Sequence, residues 1–287
     1  MWSNGLARWY AEHGRHDLPW RRTRDPWAVL VSEVMLQQTQ VARVRGRWEG
    51  FLERWPTAAA CAADTLPEVL RFWQGLGYPR RAQALWRTAA ALETGGWPRS
   101  EAELRALPGI GPYTARALLT LALGEPSRPA LDVNLRRVAA RAALGRDPRD
   151  ARPSDIERAV AAGQPRALDA RHYTLALFDV GALHCRAVPV CSACPLARGC
   201  PWRAAGSPPP VRVSTSHRYQ RSMRQLRGAV LENQLSADPA ATIDDLQSRL
   251  GALPMAQDRG SLERAVASLH AEGLLDEGLR SASRARR

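Results

Sequence analysis

The 287-residue sequence contains no lysine, so all 41 residues of its Lys+Arg count are arginines. Without a side-chain amine the protein cannot form a lysine Schiff base, and it cannot use the lysine of a phosphate-binding P-loop. GC-rich coding explains an arginine-only composition, but the chemical exclusion holds whatever its origin. Arginine is therefore the permanently cationic side chain of this protein, and its planar guanidinium binds phosphate through paired donors and stacks on bases.

The sequence also lacks any apolar run near the ~18 residues of a membrane-spanning helix. Its N-terminal segment, MWSNGLARWYAEHG, has no signal-peptide core, which predicts a cytoplasmic protein with no membrane partner. The signatures G-x-S-x-G and H-E-x-x-H are missing, which leaves the usual hydrolase classes without support. A net charge of +13 on such a chain makes nucleic acid the expected partner.

Apolar residues recur at helical spacing and no strand-like alternation persists, which predicts an all-α protein. Because this spacing continues over residues 27–44, the sequence predicts one helix there. Glycines and prolines separate the other helices that the pattern predicts, over 66–73, 82–92, 101–107, 113–123, 135–144, 154–162 and 173–184.

All ten tryptophans lie within the first 202 residues, and a Pro/Ser-rich stretch over 204–216 predicts a linker. The chain therefore divides into a domain over 1–203 and a second domain over 217–287. Helices predicted over 221–235, 242–250 and 261–275 are typical of a winged-helix or helix-turn-helix module. Such a module could bind phosphates through Arg221, Arg224 and Arg227, or it could serve protein docking or stability.

Four of the five cysteines form C-x5-C-x2-C-x5-C: Cys185, Cys191, Cys194 and Cys200. Four thiolates in one short loop can surround a single compact centre. Structural zinc usually takes two separated C-x2-C pairs, so this crowding favours a [4Fe–4S] cluster. Zinc and plain buried cysteines are the alternatives, and the fifth cysteine, Cys61, is predicted to lie in the core.

Residues 107–114 (L-P-G-I-G-P-Y-T) predict the end of one helix, a turn on Gly109 and Gly111, and the start of another helix. Such a hairpin presents backbone N–H groups to an anion, which on a basic chain indicates contact with DNA phosphate. The alternative is an ordinary helical corner. Residues 75–78 (G-L-G-Y) form a second, weaker glycine turn.

Two carboxylates stand out by their surroundings. Glu33 lies on an otherwise apolar helix, where it is either paired with an arginine or functional. Asp132 directly precedes a predicted helix, where the usual role of an aspartate is an N-cap.

In this order the motifs resemble the helix-hairpin-helix DNA glycosylases and, within them, the adenine DNA glycosylases of the MutY family. The resemblance covers residues 18–200, and its most specific piece is L-P-W at 18–20 followed by V-S-E-V-M-L-Q-Q-T-Q-V at 31–41. It implies a two-lobed α-helical fold with a cluster loop at 185–200. It also implies removal of adenine mispaired with guanine or 8-oxoguanine from double-stranded DNA, and we expect a monomer.

The resemblance implies that Glu33 protonates the adenine ring as general acid. Asp132 would stabilise the cationic sugar, directly or through a covalent intermediate, with Asn134 as the partner of the acids and Tyr113 as a hydrogen-bonding group. The role of Glu33 as an acid is consistent with its position, because burial on an apolar helix raises the pKa of a carboxyl and so lets it donate a proton.

The residues that the resemblance assigns to DNA are Leu18, Trp20, Gln37, Gln38, Tyr78, Gly109, Gly111 and Thr114. Leu18 and Trp20 would pack on the flipped base. Gln37, Gln38 and Tyr78 would insert into the base stack, and the hairpin would bind the backbone.

Tyr113 stands where endonuclease III-like relatives carry their Schiff-base lysine, six residues after the first leucine of the hairpin. Because the chain has no other lysine, the sequence predicts a monofunctional glycosylase.

Three features depart from the family pattern. The first cysteine gap is five residues where six is usual, which predicts either a tightened loop or a less stable cluster. Leu175 stands where the family often has glutamine or glutamate near the adenine, and it cannot hydrogen-bond a base. The last 85 residues, 203–287, show no β-rich domain for oxidised guanine.

The alternative functions are a mismatch thymine or other-base glycosylase of the same superfamily, and a non-catalytic iron–sulfur DNA-binding regulator. The Q-Q-T motif after Glu33 favours adenine over thymine. A binding module needs neither Glu33 nor Asp132, so their presence argues against the regulator.

Overall fold

The computed structural model describes residues 2–207, 219–220 and 222–275. Within these ranges the secondary structure is helical, with an isolated bridge at Thr242 as the only strand-like residue, so the all-α prediction is confirmed. In the same ranges, no helix has the length and apolar character needed to span a membrane. The predicted linker falls mostly outside the described residues, as does Arg221.

The helices, in chain order, are α1 (Leu6–His13), α2 (Pro26–Leu36), α3 (Val41–Arg54), α4 (Ala58–Ala63), α5 (Leu66–Trp73), α6 (Arg80–Gly95), α7 (Glu101–Ala106), α8 (Pro112–Leu118), α9 (Val133–Ala142), α10 (Pro153–Ala162), α11 (Ala170–Leu183), α12 (Pro201–Ala204), α13 (Met223–Gln234), α14 (Ile243–Leu250) and α15 (Arg259–Ala271). A π-turn over Leu119–Leu123 continues α8, and 3-10 turns span Pro19–Arg21, Ala197–Gly199 and Pro254–Ala256.

The described residues form two compact units, each built from two stretches of sequence. The first unit takes residues within Met1–Val34 and Gly95–Val213, and the second takes residues within Met35–Thr94 and Ser214–Arg287. The helices after residue 222 therefore belong to the same unit as α3 to α5.

In the first unit, α9 packs closely against α11. Gly181 on α11 permits this approach, because a Cβ there would lie 2.6 Å from the Cβ of Asn134. That distance is far inside van der Waals contact, so any larger residue would push the two helices apart.

In the second unit, an aromatic cluster forms much of the core. The ring of Phe51 lies 4.7 Å from that of Trp55 and 5.5 Å from that of Phe72, between ring centroids. The C-terminal helices join this unit through side-chain hydrogen bonds to their backbone. The Nε of Arg71 donates to the Leu235 carbonyl at 2.8 Å, and Gln83 donates to the Gly273 carbonyl at 2.7 Å.

The prediction of one helix over residues 27–44 is wrong. Helix α2 ends at Leu36 and α3 begins at Val41, with Gln38 between them in the left-handed region at φ 57°. The guanidinium of Arg81 donates hydrogen bonds to the Met35 carbonyl, at 3.1 Å, and to the Gln37 carbonyl. These acceptors are among those that a continuous helix would use for its own N–H groups, so the helix stops.

Candidate active site

Glu33 lies on the largely apolar helix α2, and only 7% of its surface is exposed. Asp25 directly precedes this helix and its carboxylate accepts the Ala28 N–H at 2.9 Å, while Pro26 occupies the first helical position. Burial raises the pKa of Glu33 to about 7. A hydrogen bond with Tyr113 and the positive charge of Arg21 both lower the pKa of Glu33, whereas the negative charge of Asp132 raises it further.

Tyr113 lies in the first turn of α8 and reaches the Glu33 carboxyl with its hydroxyl. Burial raises the pKa of this hydroxyl well above its usual value, and the charges of Glu33 and Asp132 raise it further. Tyr113 therefore stays protonated across the physiological range and can act as a donor.

Asp132 is the N-cap of α9, as its position before a predicted helix indicated. Its Oδ1 accepts the Leu135 N–H at 2.6 Å and its Oδ2 accepts the Asn134 side-chain amide at 2.9 Å. Burial raises the pKa of Asp132, while these hydrogen bonds and the charge of Arg137 oppose the rise. The cap therefore fixes a partly desolvated carboxylate beside the Glu33 carboxyl.

Arg137, which the sequence analysis missed, extends this arrangement towards the cysteines. Its Nη2 donates to the Asn134 Oδ1 at 2.7 Å and to the Gly181 carbonyl at 3.1 Å, and its Nε donates to the Cys185 carbonyl. The available signal was its spacing, because residues three apart share a helix face.

A second missed feature is the ion pair of Arg21 with Asp179, a completely buried carboxylate on α11. Arg21 binds both oxygens of Asp179, at 2.6 and 2.8 Å, and Arg15 adds a third side-chain contact at 2.5 Å. Burial alone would raise the pKa of Asp179, but the arginines hold it below its usual value. This pair anchors the segment that carries Leu18 and Trp20, both buried.

The helix ends at the hairpin lie within one residue of the predicted ones, since α7 ends at Ala106 and α8 begins at Pro112. Gly109 adopts φ 73°, which favours glycine, whereas Gly111 does not require a left-handed conformation. A Cβ on Gly111 would meet no protein atom within 4 Å, so packing within the chain does not explain why this position is glycine. Thr114 is buried in α8.

In the second unit, Arg81 ties the loop before α3 to the glycine turn before α6. Beyond the contacts described above, it donates to the Leu76 carbonyl at 2.9 Å and to the Gly77 carbonyl at 3.0 Å. Gln38 and Tyr78 are both exposed, and both adopt positive φ, at 57° and 51°. Each such conformation costs about 1–2 kcal/mol, and strain of this kind concentrates at functional sites.

The four clustered cysteines are free thiols that line one cavity, together with apolar side chains such as Val138 and Leu196. The guanidinium of Arg141 lies 3.9 Å from the Cys185 sulfur and 5.3 Å from the centroid of the Trp202 ring. Burial raises the pKa of Cys194 to about 11. In the part of the chain that the structure describes, no three His, Cys, Asp or Glu side chains converge on a single metal-ion position. Cys61 is fully buried in the core, as predicted.

The chain is similar to known DNA repair proteins over most of its length. Residues 31–163 match the family model described as HhH-GPD superfamily base excision DNA repair protein. The chain is 40% identical over 277 residues to the adenine DNA glycosylase of Mycolicibacterium smegmatis, covering 95% of this chain and 92% of that protein. It is 34% identical over 205 residues to the thymine/uracil-DNA glycosylase of Pyrobaculum aerophilum, covering 68% of this chain and 87% of that protein. A solved thermostable thymine-DNA glycosylase shares the fold with a TM-score of 0.61 at 24% identity, covering 70% of this chain and 94% of that chain.

Proposed function

This chain belongs to the adenine DNA glycosylases of the HhH-GPD superfamily of base excision DNA repair proteins, and we propose that it removes adenine mispaired with guanine or 8-oxoguanine. It is a DNA N-glycosylase acting in base excision repair. The observation that carries the proposal is Glu33, a buried carboxyl with a pKa of about 7 held between Tyr113 and Asp132.

Glu33 supplies the proton that the reaction needs. The adenine must first leave the base stack, because a base inside a duplex is out of reach, at a cost of ~ a few kcal/mol. The protonated carboxyl of Glu33 then donates to a ring nitrogen of the adenine. The N-glycosidic bond breaks, its electron pair goes to the protonated base, and the sugar is left with a positive charge.

Asp132 stabilises that positive charge as an anion. Water adds to C1′ of the sugar and its proton passes to the Glu33 carboxylate, which restores the acid and leaves adenine and an abasic site. The two carboxyls need opposite protonation states, and their surroundings supply this difference. Glu33 rests against apolar helix and a hydroxyl, whereas Asp132 accepts two hydrogen bonds and lies near Arg137.

Tyr113 and Asn134 position the acids in this proposal. The Tyr113 hydroxyl orients the Glu33 carboxyl, and the Asn134 amide lowers the pKa of Asp132 and so favours its charged form. Since no lysine is present, the reaction ends at the abasic site and the enzyme is monofunctional.

The DNA-binding residues of the proposal are those that the family resemblance assigned. Leu18 and Trp20 form the wall against which the flipped base packs. Gln37, Gln38 and Tyr78 enter the base stack from the two loops that Arg81 holds together, and the strained backbone of those loops supports a functional role. The hairpin binds a backbone phosphate, since the space beside Gly111 is not filled by the chain itself.

Four cysteines are proposed to hold a [4Fe–4S] cluster: Cys185, Cys191, Cys194 and Cys200. The support is that these free thiols line one cavity with apolar walls and that Arg141 offsets thiolate charge there. The four cysteines would hold the cluster in the loop whose Cys185 carbonyl accepts a hydrogen bond from Arg137, where it would serve as a structural cross-link. Iron and acid-labile sulfide analysis should give about four of each per chain, and one zinc per chain would contradict the assignment. Cys194→Ser should lose iron, whereas Cys61→Ser should retain it.

A duplex panel tests the function. Purified protein is incubated with duplexes that contain adenine opposite 8-oxoguanine, guanine or cytosine, or thymine opposite guanine, and then treated with alkali. We expect strand breaks where adenine faces 8-oxoguanine or guanine. Breaks only at thymine would establish the alternative, which has support in Leu175, a buried apolar side chain on α11. No break in any duplex would favour a non-catalytic regulator.

A further inference from the structure

An arginine of the C-terminal helices contacts the loop that carries Tyr78. Arg224, in the first turn of α13, donates from Nη1 to the Tyr78 hydroxyl at 3.1 Å. Its guanidinium also lies 5.7 Å from the centroid of the Tyr78 ring and 5.1 Å from that of the Tyr219 ring. We call these three residues the Tyr78–Arg224–Tyr219 patch.

The patch faces solvent although it is largely aromatic. Tyr78 is 40% exposed and Tyr219 is 50% exposed, and Arg224 is exposed as well. Within the described ranges, the other large hydrophobic residues with this much exposure are valines. Exposed aromatic rings beside an arginine are the groups with which proteins bind nucleic acid through stacking and charge.

The neighbouring arginine Arg227 differs from Arg224 in its partner. Arg227, one turn further along α13, forms an ion pair of 2.5 Å with Glu272 and so contributes to packing among the C-terminal helices. Within the described residues, Arg224 makes its hydrogen bond to an uncharged hydroxyl. Its positive charge is therefore available for an anionic partner.

We propose that the Tyr78–Arg224–Tyr219 patch binds the DNA backbone, with Arg224 donating to a phosphate. Two rings close to a planar guanidinium restrict its rotamers, and the N–H groups that do not bind the Tyr78 hydroxyl remain for an acceptor in the plane of the guanidinium. A phosphate accepts such donors in pairs, and an arginine held in place loses less entropy on binding it. This inference rests on the proposed function only in taking DNA as the partner.

The location of Tyr78 supports the assignment. Arg81 fixes the turn that carries Tyr78 to the loop that carries Gln38, so the patch is continuous with the loops proposed to enter the base stack. The C-terminal helices of this chain would thus extend the DNA-binding surface of the second unit.

Salt-dependent binding tests the proposal. Affinity of the full-length protein is measured by fluorescence anisotropy over a range of salt concentrations, for a fully paired duplex and for a duplex with adenine opposite 8-oxoguanine. Arg224→Ala should weaken binding to both duplexes by a similar factor, about three- to tenfold. It should also reduce the slope of log affinity against log salt by about one, as expected for one lost phosphate contact. Arg224→Lys should keep most of that slope, because it keeps the charge.

Arg249→Ala is the matched control. Arg249 is also a partly exposed arginine of the C-terminal helices, but it pairs with Asp238 at 3.1 Å, and its removal should change affinity less than twofold. Thermal unfolding of each variant shows whether the fold is retained. Tyr78→Phe removes the hydroxyl that Arg224 binds, so it reveals any effect that comes from that contact alone.

Three results would overturn the inference. Arg224→Ala could match Arg249→Ala, it could lose affinity without a change in slope, or it could weaken only the duplex with 8-oxoguanine. None of these depends on excision, because the fully paired duplex is not a substrate. A protein that binds as expected but excises no adenine would refute the proposed function and leave this inference standing.

Discussion

Asn134 donates a hydrogen bond of 2.9 Å to Asp132, while Arg137 donates one of 2.7 Å to the side-chain oxygen of Asn134. The amide of Asn134 thus links the half-buried guanidinium of Arg137 to the carboxylate of Asp132, which must remain charged in the proposed reaction. Since Arg137 also binds the Cys185 carbonyl, the same contacts join the candidate active site to the cysteine loop.

Asn134→Ala should slow adenine excision by about 10- to 100-fold, because a hydrogen bond to a charged group contributes about 1.5–3 kcal/mol. Loss of the donor also raises the pKa of Asp132, so the acidic limb of the pH–rate profile should move to higher pH. Single-turnover rates across pH measure both effects. Arg136→Ala, on the same helix, is the control, and an unchanged acidic limb in Asn134→Ala would contradict the role given to the amide.

The rate of excision should fall above about pH 7. Glu33 must be protonated to act as the acid and its pKa is about 7, so each further pH unit should reduce the single-turnover rate about tenfold. Below that value the rate should fall again as Asp132 takes up a proton. DNA affinity measured at the same pH values separates binding from chemistry. A rate that stays constant or rises between pH 7 and 9 is incompatible with Glu33 as the acid.

Glu33 should also make the fold less stable at alkaline pH. Its folded pKa lies above the unfolded value, so the folded state binds the extra proton and stability falls as pH rises from about 4.5 to 7. A shift of this size corresponds to roughly 3 kcal/mol, so Glu33→Gln should be more stable than the wild type by about 1–3 kcal/mol at pH 8. The difference should vanish below about pH 4.5.

Urea unfolding at pH 5 and pH 8 measures this difference. Glu93→Gln, an exposed substitution on α6, is the control and should show no comparable dependence on pH. Equal stability of Glu33→Gln and the wild type at pH 8 would show that burial of the charged carboxyl carries no penalty.

Borohydride should trap no covalent complex between the wild-type enzyme and DNA. A Schiff base needs an amine, and the chain carries none on its side chains. Tyr113→Lys supplies an amine at the centre of the site and is the positive control for trapping. Efficient trapping by the wild-type enzyme, after the N-terminal amine is blocked, would contradict a monofunctional mechanism.

Local signals in the sequence predicted much of the helical structure. Helix α5 has the predicted ends because Thr65 caps it and Pro67 occupies its first turn. The capping box of Ser100 with Glu103 likewise marks the start of α7. Helix α1 was missed because only Leu6 and Tyr10 within it are buried, which leaves too short an apolar pattern to detect.

The remaining features depend on contacts between residues far apart in sequence. The break after Leu36 depends on Arg81, and the orientation of Arg21 depends on Asp179, and neither partner has a local signature. Within the second unit, the packing of the C-terminal helices against the earlier part of the chain also depends on single side chains such as Arg71 and Gln83. The carboxyls of the candidate site and their partners Tyr113 and Asn134 were accessible from the sequence, whereas the long-range pair of Arg21 with Asp179 was not.

The most direct test of the account is the single-turnover rate of adenine excision opposite 8-oxoguanine by Glu33→Gln. The substitution keeps the shape of the side chain and removes its proton-donating acid. We expect duplex affinity to stay unchanged. The single-turnover rate should fall by about 10²- to 10⁴-fold, which is the usual contribution of general acid catalysis. A variant that excises adenine at close to the wild-type rate would show that another group protonates the base.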